Sequence, residues 1–372
     1  MVSRPWLRWL VPPAAVLAVV ATTLVAGSAS ADEKLPPRSA EQLLVDVQQA
    51  EVDGFSGTVV QSADLGVPAL PTGSEEGSDF SSLISGTHRL RVAYAAPTSS
   101  KVSLLGDLSE SSVIRHGDDL WTWSSGDNKV THTTIDPDAE AKDPSENPPA
   151  DAPKTPQEAA RRILAATADT TDVAVATDTT VAGRPAYELV LRPQDDRSLL
   201  DSVRIAVDST EHVALQVQVF ADGRSDPVAA IGFTEVDFAV PPAAEFEFSP
   251  PQGAEVTEVQ PEDHGTLSEA DREAAEEAHR QAEPEVVGEG WTSVVVGNVP
   301  ADDQPTTGPD GADRGGADGV DLQSYVAQLP RVSGDWGSGR LLAGTAFSVV
   351  ITDDGRYAAG AVPPEMLYDA LG

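Results

Sequence analysis

The sequence predicts an α+β protein that is mainly β, with an incomplete antiparallel β-barrel covered by helices and a small C-terminal β-hairpin and helix domain. The first observation is a series of short runs of alternating apolar and polar residues between residues 58 and 248, separated by Gly, Pro, Asp and Asn. The second is that only two amphipathic helices accompany these strands, too few to cover both faces of a doubly wound sheet. A sheet of about ten strands curves strongly and nearly closes on itself.

The bulk composition excludes several classes of function. With 372 residues the chain is long enough for two folded units joined by a linker. Its 60 acidic and 24 basic residues give a formal net charge of −36, which repels nucleic-acid phosphates and anionic membrane surfaces. The absence of cysteine excludes disulfides, thiol catalysis and lipidation of an N-terminal cysteine. We therefore expect no nucleic-acid partner.

The N-terminal residues predict export from the cytoplasm. Arg4 and Arg8 precede an apolar run over residues 9–26, and small residues lead up to Ala31. This pattern is typical of a signal peptide over residues 1–31, cleaved near Ala31, which makes the mature protein secreted or extracytoplasmic. The alternative is an uncleaved membrane anchor, because the apolar run nearly reaches the length of a spanning helix.

Composition also divides the remainder of the chain. Residues 32–254 contain the strand series and form the predicted barrel. Residues 255–289 are acidic and include a helix without an apolar stripe, which predicts an exposed helical linker. Residues 290–372 return to alternating strands and a final helix, with a disordered Gly/Asp/Pro insertion at about 301–320.

Two helices are expected to cover the barrel. Ser39 is a suitable N-cap for a helix over residues 40–51, in which Leu43 and Val47 recur on one face. The second helix, over residues 156–168, begins with a strong capping sequence.

The segment between residues 63 and 86 has two interpretations. It is rich in Pro, Gly, Ser and Glu, with an apolar island at Phe80, Leu83 and Ile84. A loop of this length is either a mobile lid, whose island closes the barrel, or a disordered excursion.

The apolar sides of the predicted strands supply the candidate ligand-binding residues. A nearly closed sheet with an apolar inner face either fills its interior or binds a ligand there. Because a register error of one residue reverses every side chain, the sequence leaves open which set points inward. The candidate wall residues are Leu90, Val92, Tyr94, Val102, Leu104, Trp121, Trp123, Tyr187, Leu189, Leu191, Val203, Ile205, Val217 and Val219.

Trp121 and Trp123 share one face of their strand and have two interpretations. They are either cavity wall or ordinary core packing. If they are wall residues, their replacement by alanine weakens ligand uptake more than it weakens folding.

No motif predicts an enzyme, a cofactor or a metal site. The six histidines lie mostly in turns and strand edges, and none stands beside a serine in a strand-to-helix elbow. The acidic residues between 302 and 321 lack the spacing of a calcium loop.

The order of short motifs resembles the LolA-like lipoprotein-carrier superfamily. The motifs are Ala96-Pro97, then Asp118 to Trp121, then Asn128 to Val130, and later residues 182–189. The resemblance covers about residues 38–254. It implies an incomplete barrel with helices over its mouth and an apolar cavity for acyl chains, hence an extracytoplasmic carrier of lipid or lipoprotein. A membrane export transporter is then an expected partner.

The C-terminal residues resemble RseB-type regulators. The resemblance rests on a strand at residues 348–351, on residues 359–364 and on the helix that follows. It implies the alternative hypothesis, a sensor of lipid or lipoprotein that binds a membrane-anchored anti-sigma factor.

Overall fold

The computed structural model describes residues 35–66, 85–135, 170–259, 284–299 and 326–372. Within these ranges the chain is mainly β, with a large open sheet that does not close into a barrel and a smaller C-terminal sheet, which confirms the predicted fold class. None of the helices in these ranges has both the length and the apolar character needed to cross a membrane.

Several sequence predictions lie outside the described residues. They are the signal peptide, the lid residues Phe80, Leu83 and Ile84, the second covering helix and the insertion at about 301–320.

The first sheet is built from the strands that precede residue 260, most of them joined by short hairpins. These strands are β1 (Gly54–Ala63), β2 (Gly86–Ala95), β3 (Ser99–Leu105), β4 (Glu110–His116), β5 (Asp119–Ser124), β6 (Lys129–Thr134), β7 (Thr171–Val175), β8 (Thr179–Val181), β9 (Arg184–Pro193), β10 (Leu200–Asp208), β11 (Ala214–Ala221), β12 (Ala229–Asp237) and β13 (Glu255–Val259).

Two antiparallel meanders meet at β1. The spatial order is β13-β6-β5-β4-β3-β2-β1-β12-β11-β10-β9-β7, with β8 paired to β9. β1 pairs with β2 on one side and with β12 on the other. Every pair in this sheet is antiparallel except β13 with β6, which is parallel. The chain reaches β6 again through residues 238–254, which include a 3-10 turn at Ala243–Glu245.

The predicted N-terminal helix is present as α1 (Ala40–Gln49). Its start is fixed by a capping box, in which Ser39 Oγ accepts a hydrogen bond from the Gln42 backbone N–H at 3.2 Å. The Gln42 side chain accepts one in return from the Ser39 N–H at 3.1 Å. Leu43 and Val47 are buried, so the predicted apolar stripe packs on the sheet.

The second sheet and a terminal helix form the C-terminal part. The sheet has six strands among the described residues, and its spatial order by residue number is 285–287, 294–298, 356–360, 348–352, 337–343 and 331–334. Its core contains Trp336, Val350 and two leucines of the terminal helix, Leu367 and Leu371. The elements are β14 (Glu285–Val287), a 3-10 turn (Gly290–Thr292), β15 (Val294–Asn298), β16 (Arg331–Gly334), β17 (Gly337–Ala343), β18 (Ser348–Thr352), β19 (Arg356–Gly360) and α2 (Pro364–Leu371).

The predicted limits of the acidic linker, 255–289, are too wide. Residues 255–259 form β13 of the first sheet, and residues 285–287 form β14 of the second. Both strands are exposed along their whole length, so they pair through backbone hydrogen bonds and leave no apolar pattern in the sequence. The predicted helix between them lies outside the described residues.

The two sheets contact each other directly. The backbone N–H of Thr345 donates to the carbonyl of Leu65 at 2.7 Å, and that of Leu199 donates to the carbonyl of Ala361 at 2.8 Å. Trp291 donates through its indole N–H to Thr171 Oγ1 at 2.7 Å. These bonds tie the second sheet to the β1 and β7–β10 side of the first.

Candidate functional site

Strand register separates the two faces of the first sheet. Directly paired residues of neighbouring antiparallel strands lie on the same face. We call the face that carries α1 the inner face, because Leu43 and Val47 belong to the same buried cluster as Leu189 and Ile205. One row that defines it runs through Leu189, Ile205, Val217, Ile231 and Gln61.

All the predicted wall residues except the two tryptophans lie on the inner face. They form two groups, one beneath α1 and one on β2 and β3. The first group is Tyr187, Leu189, Leu191, Val203, Ile205, Val217 and Val219, and the second is Leu90, Val92, Tyr94, Val102 and Leu104.

The group beneath α1 is ordinary core. Its residues pack in one cluster with Leu43 and Val47, and most are buried. The Tyr187 hydroxyl donates a hydrogen bond to the carbonyl of Pro36 at 2.9 Å, which ties the segment before α1 to the sheet. The helix therefore already occupies this part of the inner face.

The group on β2 and β3 has a different environment. Val59, Leu90, Val92, Val102 and Leu104 form an apolar cluster that we call the β1–β3 patch. Among the described residues, its apolar neighbours all come from the sheet and none from α1. Val217 contacts both this patch and the core beneath α1, so the two apolar regions are continuous.

A row of polar side chains ends the β1–β3 patch. Tyr94, Ser100 and Arg115 are paired across β2, β3 and β4, two residues beyond the row of Val92 and Val102. All three are partly buried. Sequence reasoning placed Tyr94 in the wall but missed Ser100 and Arg115. Alternation places Arg115 on the same face of β4 as Val113, but only the pairing of Val113 with Val102 assigns that face to the patch.

Trp121 and Trp123 lie on the outer face, away from the other candidate wall residues. Trp121 is paired with Ile114, and Trp123 with Ser112 and Val130. The Val92 row instead continues through Val113 and Thr122, so the tryptophans point away from it.

The tryptophans have their own cover on the outer face. The Phe248 ring lies 5.5 Å from that of Trp121 and 6.2 Å from that of Trp123, measured between centroids. Ile114 and Val130 are buried beside them. The apolar side of the sheet thus changes from the inner to the outer face between β3 and β4, where the segment before β13 covers it.

His132 joins this outer cluster to β13. Its ring stacks on Trp121 at a centroid distance of 3.9 Å. One ring nitrogen hydrogen-bonds Asp119 and the other hydrogen-bonds Glu258 of β13, both at 2.8 Å. Burial lowers the pKa of His132, but the bonds to the two carboxylates outweigh burial and raise this pKa above its ordinary value of 6.5. The protonated ring bonds both carboxylates at once.

The described residues show no metal site, and their clefts lie away from the β1–β3 patch. No cluster of three or more potential metal ligands occurs in the described ranges. One cleft of about 560 Å³ lies beside α1, next to Arg38 and Val45. A second, of about 550 Å³, lies between the two sheets beside Arg197 and Trp291. Neither is lined by the β1–β3 patch.

The chain has matches among solved structures. No protein-family model matches it, and no curated protein matches it. The MucA/MucB complex of Pseudomonas aeruginosa is similar, with 14% identity, coverage of 89% of this chain and 96% of that chain, and a TM-score of 0.44. A LolA-superfamily protein of Nitrosomonas europaea has 12% identity, coverage of 57% and 99%, and a TM-score of 0.20. The structural neighbours include MucB/RseB and LolA-superfamily proteins.

Proposed function

We propose that this chain is an extracytoplasmic, non-enzymatic carrier that binds lipid or the acyl chains of a lipoprotein on the β1–β3 patch. The observation that carries the proposal is the division of the inner face. The part beneath α1 is filled by Leu43 and Val47, whereas the β1–β3 patch receives no side chain from α1. Val92 and Val102 of this patch are partly exposed, and a partly exposed apolar area beside a packed core is suited to a hydrophobic ligand.

The hydrophobic free energy expected from burying an acyl chain is consistent with lipid binding. Each methylene group removed from water contributes about 0.8 kcal/mol. A chain that lies along β2 and β3 can contact the partly exposed row of Val92 and Val102, beside the buried row of Leu90 and Leu104. Because several methylene groups reach these rows together, their summed burial offsets the loss of freedom of a bound acyl chain.

A second candidate function is supported by the C-terminal sheet. β14 is an edge strand in which Val286 is 61% exposed and Val287 is 37% exposed. Exposed edge strands offer unpaired backbone groups to a partner chain. This supports a sensor that binds a membrane-anchored protein such as an anti-sigma factor, as MucB is found with MucA. An export transporter is the corresponding partner for a carrier.

Native mass spectrometry tests the carrier proposal. The protein, purified from the extracytoplasmic fraction without detergent, is expected to carry lipid, and the delipidated protein is expected to bind palmitate. A protein that is lipid-free and fails to bind palmitate contradicts the proposal.

Site-specific photo-crosslinking from position 286 tests the sensor candidate. A crosslink to one membrane protein, with a yield that changes when palmitate is added, supports it. If the protein binds palmitate but forms no such crosslink, the carrier proposal stands and the sensor candidate is contradicted.

A further inference from the structure

The polar row at the end of the β1–β3 patch bears on the chemical class of the ligand. Tyr94, Ser100 and Arg115 lie side by side on three neighbouring strands of the inner face. The adjacent row is apolar and contains Val92 and Val102. The inner face therefore changes from apolar to hydrogen-bond donating within two residues along each strand.

The donors of this row are largely unused. Arg115 donates from Nε to the carbonyl of Gly117 at 3.1 Å, which leaves its terminal amino groups without a hydrogen bond or ion pair among the described residues. The hydroxyls of Tyr94 and Ser100 likewise have no hydrogen-bond partner within the described ranges. An arginine without a carboxylate partner is notable in a chain of net charge −36.

Strand geometry sets the size of the row. Neighbouring strands lie about 4.8 Å apart, so three donors on three strands span about 10 Å. Two residues along a strand correspond to about 7 Å, which separates the polar row from the Val92 row. These dimensions suit an amphipathic molecule whose acyl chain lies along the strands and whose polar head lies at the Arg115 end.

We propose that Tyr94, Ser100 and Arg115 bind the phosphate of an anionic, phosphate-headed lipid whose acyl chain lies on the β1–β3 patch. This inference rests on the proposed function and adds the chemical class of the ligand. A guanidinium matches phosphate oxygens in a bidentate arrangement and is weakly hydrated, while the two hydroxyls donate further hydrogen bonds. The overall negative charge of the chain opposes a bound anion, so its retention depends on Arg115.

Two probes with the same acyl chain test the inference. Palmitoyl lysophosphatidic acid carries a phosphate, whereas palmitoylglycerol is uncharged. The full-length protein is expected to bind the phosphate-bearing probe at least about tenfold more tightly, as a hydrogen-bonded charged pair contributes. The Arg115→Gln variant is expected to lose this preference and to bind palmitoylglycerol as the unmodified protein does. Arg115→Lys, which keeps the charge, is expected to retain part of the preference.

Arg91 provides the matched control. It is an exposed arginine on the outer face of β2, without an ion pair among the described residues. Arg91→Gln removes the same charge from the same sheet and is expected to leave the preference intact. Circular dichroism checks that both glutamine variants are folded.

The outcomes separate this inference from the proposed function. The inference is overturned if Arg91→Gln and Arg115→Gln lose the preference for the phosphate-bearing probe equally, or if the unmodified protein binds both probes equally. In either case the carrier proposal stands. Displacement of the phosphate-bearing probe by glycerol 3-phosphate at equal concentration also overturns it, because a free phosphate site needs no acyl chain. Failure of both probes to bind contradicts the inference and the proposed function together.

Discussion

Leu90 and Leu189 lie on the same face of the same sheet, but their side chains have different neighbours. Leu189 is 1% exposed and packs in the cluster that contains α1, whereas Leu90 is 8% exposed and belongs to the β1–β3 patch. Both leucines are buried, and what distinguishes them is that only Leu189 packs against α1, so Leu189 belongs to the core beneath α1 and Leu90 to the proposed ligand patch. The two leucines are therefore a matched pair for separating stability from binding.

Trp121 yields a prediction that follows the second of its two interpretations, ordinary packing. Its ring is covered by His132 and Phe248 on the outer face, away from the β1–β3 patch. We expect Trp121→Ala to lower the free energy of unfolding by about 1–3 kcal/mol, because a partly buried ring loses its apolar contacts. Palmitate affinity of the folded variant is expected to stay within about twofold of the unmodified protein. Urea unfolding and palmitate titration measure the two quantities. A large loss of affinity with unchanged stability would contradict this prediction and show that Trp121 contacts the ligand.

The alternation within each strand could be predicted from sequence, but the relation between strands could not. Trp121 and Trp123 share a strand face, as predicted, and so do Leu90 and Val92. Which of these pairs shares the face of α1 depends on the register through β3 and β4, which the sequence does not specify. Arg115 was missed for the same reason, since its face could be assigned only after Val113 was paired with Val102.

The β13 strand closes one edge of the first sheet. All of its residues are exposed, and it pairs with β6 in parallel. Glu255 is paired with Lys129 and Glu258 with His132, so opposite charges face each other along the pairing. β13 is itself the edge strand, and its two glutamates, Glu255 and Glu258, disfavour pairing with another copy of the chain.

Docking of β13 is expected to depend on pH through His132. The pKa of His132 is raised in the folded protein. Its stabilisation of the docked β13 is therefore fully present below the unfolded pKa of about 6.5 and is lost as the pH rises through the folded pKa. Hydrogen exchange of the β13 amides, corrected for the intrinsic rate at each pH, is expected to show less protection as the pH rises through the folded pKa of His132. An NMR titration of the His132 ring gives the folded pKa directly.

Glu258→Gln is the control for this pH dependence. It removes one carboxylate partner of His132 while retaining the length and hydrogen-bonding capacity of the side chain. The change in β13 protection with pH should shrink in this variant. Protection that is equal at all pH values in the unmodified protein would show that His132 does not hold β13.

The existence of β13 could not be predicted from the sequence. Strand prediction relies on an apolar face that packs against a core, and the residues of β13 have none. Their acidic composition instead favoured an exposed linker. By contrast, α1 could be predicted, because Ser39 and Gln42 form a local capping box and the apolar stripe repeats at helical spacing.

At the scale of the molecule, the two sheets form a shared contact at the end of β1. Gly66 has φ +67°, and a Cβ at this position would collide with the Oγ1 of Thr345 and lie 3.0 Å from its backbone nitrogen. The neighbouring residue Leu65 accepts the hydrogen bond from Thr345. Gly66 thus allows β18 and its preceding turn to approach the first sheet.

Gly66→Ala is expected to weaken this contact. Gly183, with φ +75° and no atom near its missing Cβ, gives a matched control. Gly183→Ala loses only about 1–2 kcal/mol of stability from backbone strain. Gly66→Ala is expected to lose more and to broaden or split the thermal unfolding transition, because the collision separates the sheets. Calorimetry compares the two, and equal losses with single sharp transitions would contradict the contact's role.

The presence of two units could be anticipated from length and from the return of alternation after residue 290. Their contact could not, because it joins backbone groups at Leu65, Leu199 and Thr345, and the sequence does not show which side chains, such as Trp291, meet the first sheet.

The central claim is that the β1–β3 patch, and not the core beneath α1, binds an acyl chain. Palmitate binding by the unmodified protein, Leu90→Ala and Leu189→Ala, measured by titration calorimetry under conditions where all three are folded, tests it most directly. Leu90→Ala is expected to weaken palmitate binding about threefold to tenfold, whereas Leu189→Ala is expected to leave affinity unchanged; because both leucines are buried, both variants are expected to lose stability. Unchanged affinity in Leu90→Ala, or no palmitate binding by the unmodified protein, would contradict it.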